Sequence, residues 1–186
     1  MSVSVWLFLA EGFEEAEAIV PWDMFLRASF DVTAWGLGSN FVTGSHGITV
    51  KANKVWPNDW KQDHPEVVFL PGGMPGSKNL AADPDLKSFL KAFEEKKLGT
   101  LTAICAAPVV VLGAHGLLNK KRFTCYPGME SQAPGGLWTD GDVVVDGDLM
   151  TSRGMGTAAQ LALHVIEKYF GLDKAEELGR KTLWMP

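Results

Sequence analysis

Cysteine is scarce in this chain: 186 residues hold two, Cys105 and Cys125. Two thiols so placed make neither a disulfide framework nor a zinc site. Histidine is almost as rare, with four; no two have metal-ligand spacing and no ligand cluster accompanies them, so no metal is expected. Basic runs are missing beyond "KKR" at 120–122. With a net charge of −5 and a pI near 5.3, the chain lacks the basic face that nucleic acid requires. Long apolar runs are missing too. The opening "SVSVWLFLA" is short, without a basic leader or a cleavage site, so neither a signal peptide nor a membrane partner is expected, and the thiols belong in a reducing cytoplasm. No repeat, low-complexity segment or linker breaks the chain. A single domain over 1–186 follows, large enough for a two- or three-layer core.

What is present is a steady alternation. Residues 3–10 read as a buried strand, 14–29 as an amphipathic helix, 30–37 as a second strand and 47–53 as a shorter third. "EVVFLPGG" (66–73) is a buried strand ending in a Pro-Gly-Gly break. Asp83 before Pro84 starts a helix, an N-cap followed by proline at the first helical position, and Gly99 stops it. Residues 100–105 form the next strand, and "APVVVLGAHG" a helix ended by Gly116. In "VVVDGDLMTS" (143–152) an Asp-Gly pair between apolar runs signals a hairpin. Helices over "TAAQLALHVIEKYFG" and "KAEELGRKTLW" close the chain. Such alternation implies an α/β fold, a mostly parallel sheet covered on both faces with a small hairpin added. In such sheets ligands bind at the carboxyl ends of the strands. Cys105, Gly72, Gly73 and "AEGFEEAE" (10–17) all fall at that edge.

Two glycine-rich runs invite a phosphate. "GGMPGSKN" (72–79) has glycines and a lysine but lacks P-loop spacing and order. "GMGTAA" (154–159) matches the dinucleotide fingerprint, yet no later strand completes the unit with an acidic ribose ligand. It reads as a tight turn packing a helix N-terminus under the active edge. Cys105 has two readings. It is a small core hydrophobe, or a thiol at a strand-to-helix turn where the positive helix end favours thiolate. Glu17 is either a solvated helix residue beside Glu14 and Glu15 or a partner of that thiol. Cys125 and Tyr126, adjacent on a strand, point to opposite faces; with Tyr126 toward the pocket, Cys125 faces the core. His164 reads as a helix-packing residue, His115 as a helix C-terminal one and His64 as a loop residue. The seven tryptophans are spread along the chain and make no aromatic binding platform.

"EEAE" after the first strand, "LPGG", "AICAAP" and "TSRGMG", in this order and spacing, resemble the ThiJ/PfpI (DJ-one-like) superfamily, over about residues 3–182. The likeness is to its small single-domain branch. It implies a flavodoxin-like three-layer sandwich, a nucleophile-elbow cysteine, no cofactor and a homodimer. It puts Cys105 at the reactive-cysteine position and Glu17 at the acidic position that donates to the sulfur. The amides of Gly73 and Ala106 then form an oxyanion pocket beside Gly72. For Glu17 to help a thiolate it must be protonated in a desolvated pocket, since two negative charges would repel.

Departures from the family pattern matter. Ala106 stands where peptide- and amide-directed relatives carry histidine, which disfavours a peptidase. Tyr126 stands where a histidine often closes the pocket, and a phenol is a poor base near neutral pH. His46 takes the position of a basic residue near the dimer interface, Arg27 is retained on the first helix, and the resemblance places both at the pocket with Gly72 and Tyr126. Two functions follow from the resemblance: a cysteine-dependent glyoxalase or deglycase acting on a small reactive carbonyl, or a sensor or protective chaperone-like protein whose Cys105 meets an oxidant and becomes sulfinate.

Overall fold

The first strand carries two periodicities of core at once. In β1 (Ser4–Leu9), Val5, Leu7 and Leu9 enter one buried cluster while Trp6 and Phe8 enter another. Successive strand side chains point to opposite faces, so β1 must be covered on both sides. The computed structural model, which describes residues 2–57, 60–61 and 63–184, shows how. A seven-stranded sheet runs β10-β11-β7-β6-β1-β2-β5. Its strands are β2 (Asp31–Leu37), β5 (Lys54–Trp56), β6 (Val67–Leu70), β7 (Thr100–Ile104), β10 (Val143–Asp146) and β11 (Leu149–Ser152), beside β1. All neighbours are parallel except β10 on β11.

Helices α1 (Glu15–Arg27), α4 (Ala158–Phe170) and α5 (Leu172–Lys181) contribute to the first cluster. Helices α2 (Gly76–Ala82) and α3 (Pro84–Glu95), with a π-helical segment Pro108–Gly113, contribute to the second. The α/β sandwich is thus three-layered, as expected. Five of its parallel strands follow the flavodoxin-like order, with the order reversing between β1 and β6, the point where such sheets open a crevice.

Several local expectations are met. Asp83 caps α3, accepting from Leu86 N at 2.7 Å. The Asp-Gly hairpin pairs Val143 with Ser152, with Gly147 in the left-handed region (φ 63°). Others are corrected. The strand expected over 47–53 is split. β4 (Thr49–Lys51) pairs antiparallel with β3 (Phe41–Thr43) outside the main sheet, and β5 supplies that sheet's edge. The helix after Asp83 ends at Glu95, where Lys97 (φ 50°), not Gly99, takes the left-handed position. β8 (Arg122–Phe123) pairs with β9 (Leu137–Trp138) and ends before Cys125. His164 is exposed on α4, its Nδ1 2.8 Å from Gln160 O, and packs against nothing in the core. His115 is buried just past the π-helical segment.

The tryptophans, though spread in sequence, are partly gathered in space. Trp6 lies 5.1 Å from Trp35 and stacks on Phe89 at 5.4 Å, with Trp56 at 5.0 Å from Phe8. This aromatic block fixes β5 and α3 against the sheet. Among the described residues no helix is long and apolar enough to cross a membrane.

Candidate active site

Three separate turns converge at the crevice. The first follows β1 and starts α1. Glu14 caps that helix, its Oε2 accepting from Glu17 N at 2.6 Å. Glu17 then lies one turn in, 1% exposed. The second turn follows β6, where Gly72 N donates to Glu17 Oε2 at 2.9 Å. A methyl group on Gly72 would lie 2.5 Å from Glu17 Oε2 and 2.6 Å from Cys105 Cβ. Only glycine lets the carboxyl and the cysteine approach each other here. Gly73 (φ 90°) turns the chain sharply, and its missing Cβ would meet Glu14 N at 2.3 Å.

The third turn follows β7 and carries Cys105. The cysteine adopts the left-handed region (φ 64°), a strained conformation for a residue with a Cβ. It is clamped there by two backbone bonds, Cys105 N to Ser152 O at 2.9 Å and Tyr126 N to Cys105 O at 2.8 Å. The thiol hydrogen-bonds to the Glu17 carboxyl and receives the amides of Gly73 and Ala106. The "GMGTAA" run forms a 3₁₀ turn, Met155–Thr157, leading into α4, and its Met155 N–H donates to Glu17. That run therefore serves the carboxyl from below, as a tight turn.

Electrostatics tie Glu17 and Cys105 into one unit. Burial, with the Glu14 charge in support, pushes the Glu17 carboxyl up to about 7, against the bonds it receives from Cys105, Gly72 and Met155. Burial, the Glu17 charge and the Glu17 hydrogen bond push Cys105 up to about 12, against the Gly73 and Ala106 amides. The thiol is therefore not simply acidified by its turn. Two of its three upward causes vanish when the proton sits on Glu17, so the protons of the pair belong to both groups.

Glu15, two residues before Glu17, is also buried but faces away. It accepts from His46 N at 2.8 Å and His46 Nδ1 at 2.9 Å, and from Ile48 N at 3.3 Å. Burial works upward on it, and these bonds outweigh it, holding Glu15 down to about 2. The Glu15 contact raises His46 in turn. Glu14, Glu15 and His46 bring ligand-type atoms within 4.8 Å of one another, a cluster that histidine spacing alone did not reveal. The oxygens of Glu15 are already taken by His46 and Ile48, and Glu14 by its cap, so the group is built as an ion-paired helix start.

A cavity of about 670 Å³ opens over the thiol, lined by Gly73, Cys105, Ala106, Tyr126 and His46 among others. Gly72 and Glu17 sit buried behind it. Tyr126 is exposed at the cavity wall while Cys125 is buried, so the opposite-face reading holds although both follow β8 rather than lie in it. Arg27 is not brought to this cavity. It lies ten residues beyond Glu17, about 15 Å along the helix, exposed and paired with Asp23 at 2.6 Å. Met74, Lys78, Val110, Met129 and Gln132 also line the cavity and were not singled out from sequence. Lys78 was visible within "GGMPGSKN", but the helix that carries it was not.

The DJ-1/PfpI family profile matches residues 3–168. This chain belongs to the DJ-1/PfpI family. Protein dj-1beta of Drosophila melanogaster is 38% identical over 186 residues, covering 98% of each chain. The "Parkinson disease protein 7 homolog" of Danio rerio is 35% identical over 176 residues, covering 92% of each. A Schizosaccharomyces pombe relative named "Glutathione-independent glyoxalase DJ-1" is 30% identical over 194 residues, covering 99% of this chain and all of that one. By contrast, the chain spans 40% of the length of Protein DJ-1 homolog B of Arabidopsis thaliana. Among solved structures, oxidized Toxoplasma gondii DJ-1 superposes with a TM-score of 0.93 at 31% identity over 98% of both chains.

Proposed function

We propose that this DJ-1/PfpI protein is a cysteine-dependent glyoxalase or deglycase that needs no cofactor and acts on small 2-oxoaldehydes through Cys105 and Glu17. The observation that carries this reading is a buried carboxyl, held up near 7, hydrogen-bonded to a thiol on a strained turn. Such a pair supplies a nucleophile and a proton carrier together. With the pair's proton on Glu17, the thiolate adds to the aldehyde carbon and Glu17 protonates the new alkoxide. The Glu17 carboxylate then takes the C–H proton from that carbon and returns it to the neighbouring ketone carbon, while the hydroxyl proton on the sulfur-bearing carbon passes to the ketone oxygen. The result is a thioester of a 2-hydroxy acid, which water hydrolyses to free the acid and the thiol. The aldehyde carbon is oxidised and the ketone carbon reduced, so no outside electron acceptor enters. The amides of Gly73 and Ala106 favour the negative charges that develop at and beside the sulfur. The name of the fission-yeast relative supports this reading.

A second reading, redox sensing or protection, is favoured by Tyr126, which puts a phenol rather than a base at the cavity wall. In it an oxidant such as peroxide adds two oxygens to Cys105, and the Glu17 carboxyl and the two amides hold the sulfinate. In either case the protein acts in the cytoplasm as a homodimer. The exposed Ile19 and Ile48 beside His46 offer an apolar face for the second copy.

Steady-state methylglyoxal hydration by purified protein, with Cys105→Ser as control, tests the first reading. Lactate formation lost in Cys105→Ser supports it. Equal lactate formation in both proteins overturns it, and no turnover with clean sulfinate formation leaves the second reading standing.

A further inference from the structure

The run 72–79 gives two glycines to the site, and its lysine still lacks a role. We propose that Lys78 selects, for the Cys105 cavity, carbonyl substrates that carry a carboxylate: 2-oxoaldehydes with an acidic tail. This rests on reading the cavity as a carbonyl site.

The position of Lys78 is fixed by tight backbone packing. A Cβ on Gly76 would lie 2.5 Å from Phe13 N, so α2 sits directly against the turn after β1. Ser77 N donates to Gly73 O at 2.9 Å, and Asn79 Nδ2 donates to Glu11 O at 2.8 Å. Long helical side chains lean back toward the helix N-terminus. From α2 that direction leads over Met74 and Gly73, and Lys78 indeed lines the same cavity as Cys105.

Charge singles it out. Besides Cys105 and Tyr126, the titratable groups on the cavity wall are Glu14, His46 and Lys78. Glu14 is committed to capping α1. His46 is paired with the buried Glu15 at 2.9 Å, which cancels its charge when protonated. Lys78 is exposed and makes no ion pair with the described residues. In a chain of net charge −5, the cavity over the nucleophile thus keeps one uncommitted ammonium. Met74, Val110 and Met129 make the wall around it apolar. The matching ligand has a carbonyl at the sulfur, a short apolar stem and an anionic end.

A compound of that class is 4,5-dioxopentanoate. Its aldehyde carbon is oxidised, its ketone carbon is reduced, and water is taken up to give 2-hydroxypentanedioate, with the tail carboxylate unchanged. Lys78 touches only the tail and is a specificity residue.

The first test needs no turnover. Cys105 is alkylated with iodoacetate and with iodoacetamide, and the ratio of the two rates is read by peptide mass spectrometry, with buried Cys125 as internal reference. The ratio at Cys105 should fall about fivefold in Lys78→Met, the scale of an exposed ion pair, hold in Lys78→Arg, and shrink with added salt in the parent protein. A ratio that Lys78→Met leaves unmoved overturns the assignment. The second test compares kcat/KM for 4,5-dioxopentanoate and methylglyoxal. Their quotient should fall by a similar factor in Lys78→Met, through KM. Turnover of both with no change in the quotient overturns the role of Lys78 alone. No turnover of either, with the alkylation ratio still responding, overturns the glyoxalase reading and supports Lys78 as the residue that selects anions.

Discussion

Glu15 and Glu17 begin the same helix, two residues apart and both almost fully buried, yet their carboxyls are driven in opposite directions. Positions i and i+2 lie about 200° apart around a helix, so the two side chains meet different surroundings. Glu15 meets an imidazole and two backbone N–H groups from the 46–48 turn and is held near 2. Glu17 meets the sheet edge, a thiol and two amides, and desolvation wins, lifting it to about 7. Burial alone does not choose between an ion pair and a proton carrier. Whether a donor brings positive charge does: His46 can for Glu15, and none of the donors to Glu17 can. One carboxylate fastens the cavity rim, and the other is free to trade its proton with Cys105.

The largest expected effect comes from abolishing the difference at Glu17. Glu17→Gln keeps a donor for the sulfur but removes the proton to be traded, so methylglyoxal turnover should drop about 10²–10⁴-fold. Stability should respond the other way. Because folding raises this carboxyl from its ordinary 4.5 to about 7, the native state holds a proton that the unfolded chain has lost. Its favourable contribution is complete below pH 4.5 and disappears as pH rises toward 7, a loss of about 3 kcal/mol. Denaturant titrations at pH 4.5 and 7.5 should show that loss in the parent protein and not in Glu17→Gln. Unchanged turnover with an unchanged pH slope would mean that Glu17 carries no proton for the reaction and that folding does not raise it, as for a surface carboxylate.

Glu15→Gln probes the other side. Folding depresses this carboxyl to about 2, so its contribution is present above pH 4.5 and is lost as pH falls toward 2. At pH 7 the variant should be less stable by about 1–3 kcal/mol, discounted because His46 faces solvent. The gap to the parent should narrow steadily below pH 4.5. Cys105 alkylation should change far less than in Glu17→Gln. A gap that stays constant from pH 7 to 3 would mean that Glu15 contributes packing rather than charge.

The same contrast marks what was legible in the sequence. "EEAE" after a strand placed acidic groups at the sheet edge, but only tertiary contacts tell which of them lacks a cationic partner. Several parallel strands were readable because they are largely apolar runs bounded by Gly, Pro or Asp, while their order in the sheet followed only from the family likeness. The 41–56 region was not, since its strands are three residues long and are fixed from outside. Asn53 Oδ1 accepts from Ala34 N, for example, at 2.8 Å. Helix α2 hides behind Pro75 and Gly76, residues that read as a loop; close packing on Phe13, which needs that glycine, makes the segment helical. Arg27 was expected at the pocket on family likeness, and the rise of the helix carries it away. The family itself, and the meeting of Glu17, Gly72, Gly73 and Cys105, were readable because four motifs end at one edge of one sheet.

The smallest expected effect sharpens the comparison from the substrate side. His46 lines the cavity over Cys105, but its Nδ1 is committed to Glu15 at 2.9 Å, and the other aromatic ring on that wall is Tyr126. After the thiolate attacks, a proton must move between two substrate carbons, and a phenol is a poor acceptor for it near neutral pH. Glu17 then works alone, and methylglyoxal turnover should be slow. Tyr126→His would give the second carboxyl what the first already has, a neighbouring imidazole. Turnover should rise by about tenfold, less than a fully positioned general base contributes, because the tyrosine site is half open. Tyr126 is exposed and its backbone N–H, not its phenol, makes the bond to Cys105 O, so the elbow should keep its shape in the variant. A pH profile whose acid limb gains a titration in Tyr126→His that the parent lacks would show the imidazole accepting the proton. A fast parent enzyme that Tyr126→His fails to improve would mean that Glu17 suffices, because its own lifted carboxyl already titrates near working pH.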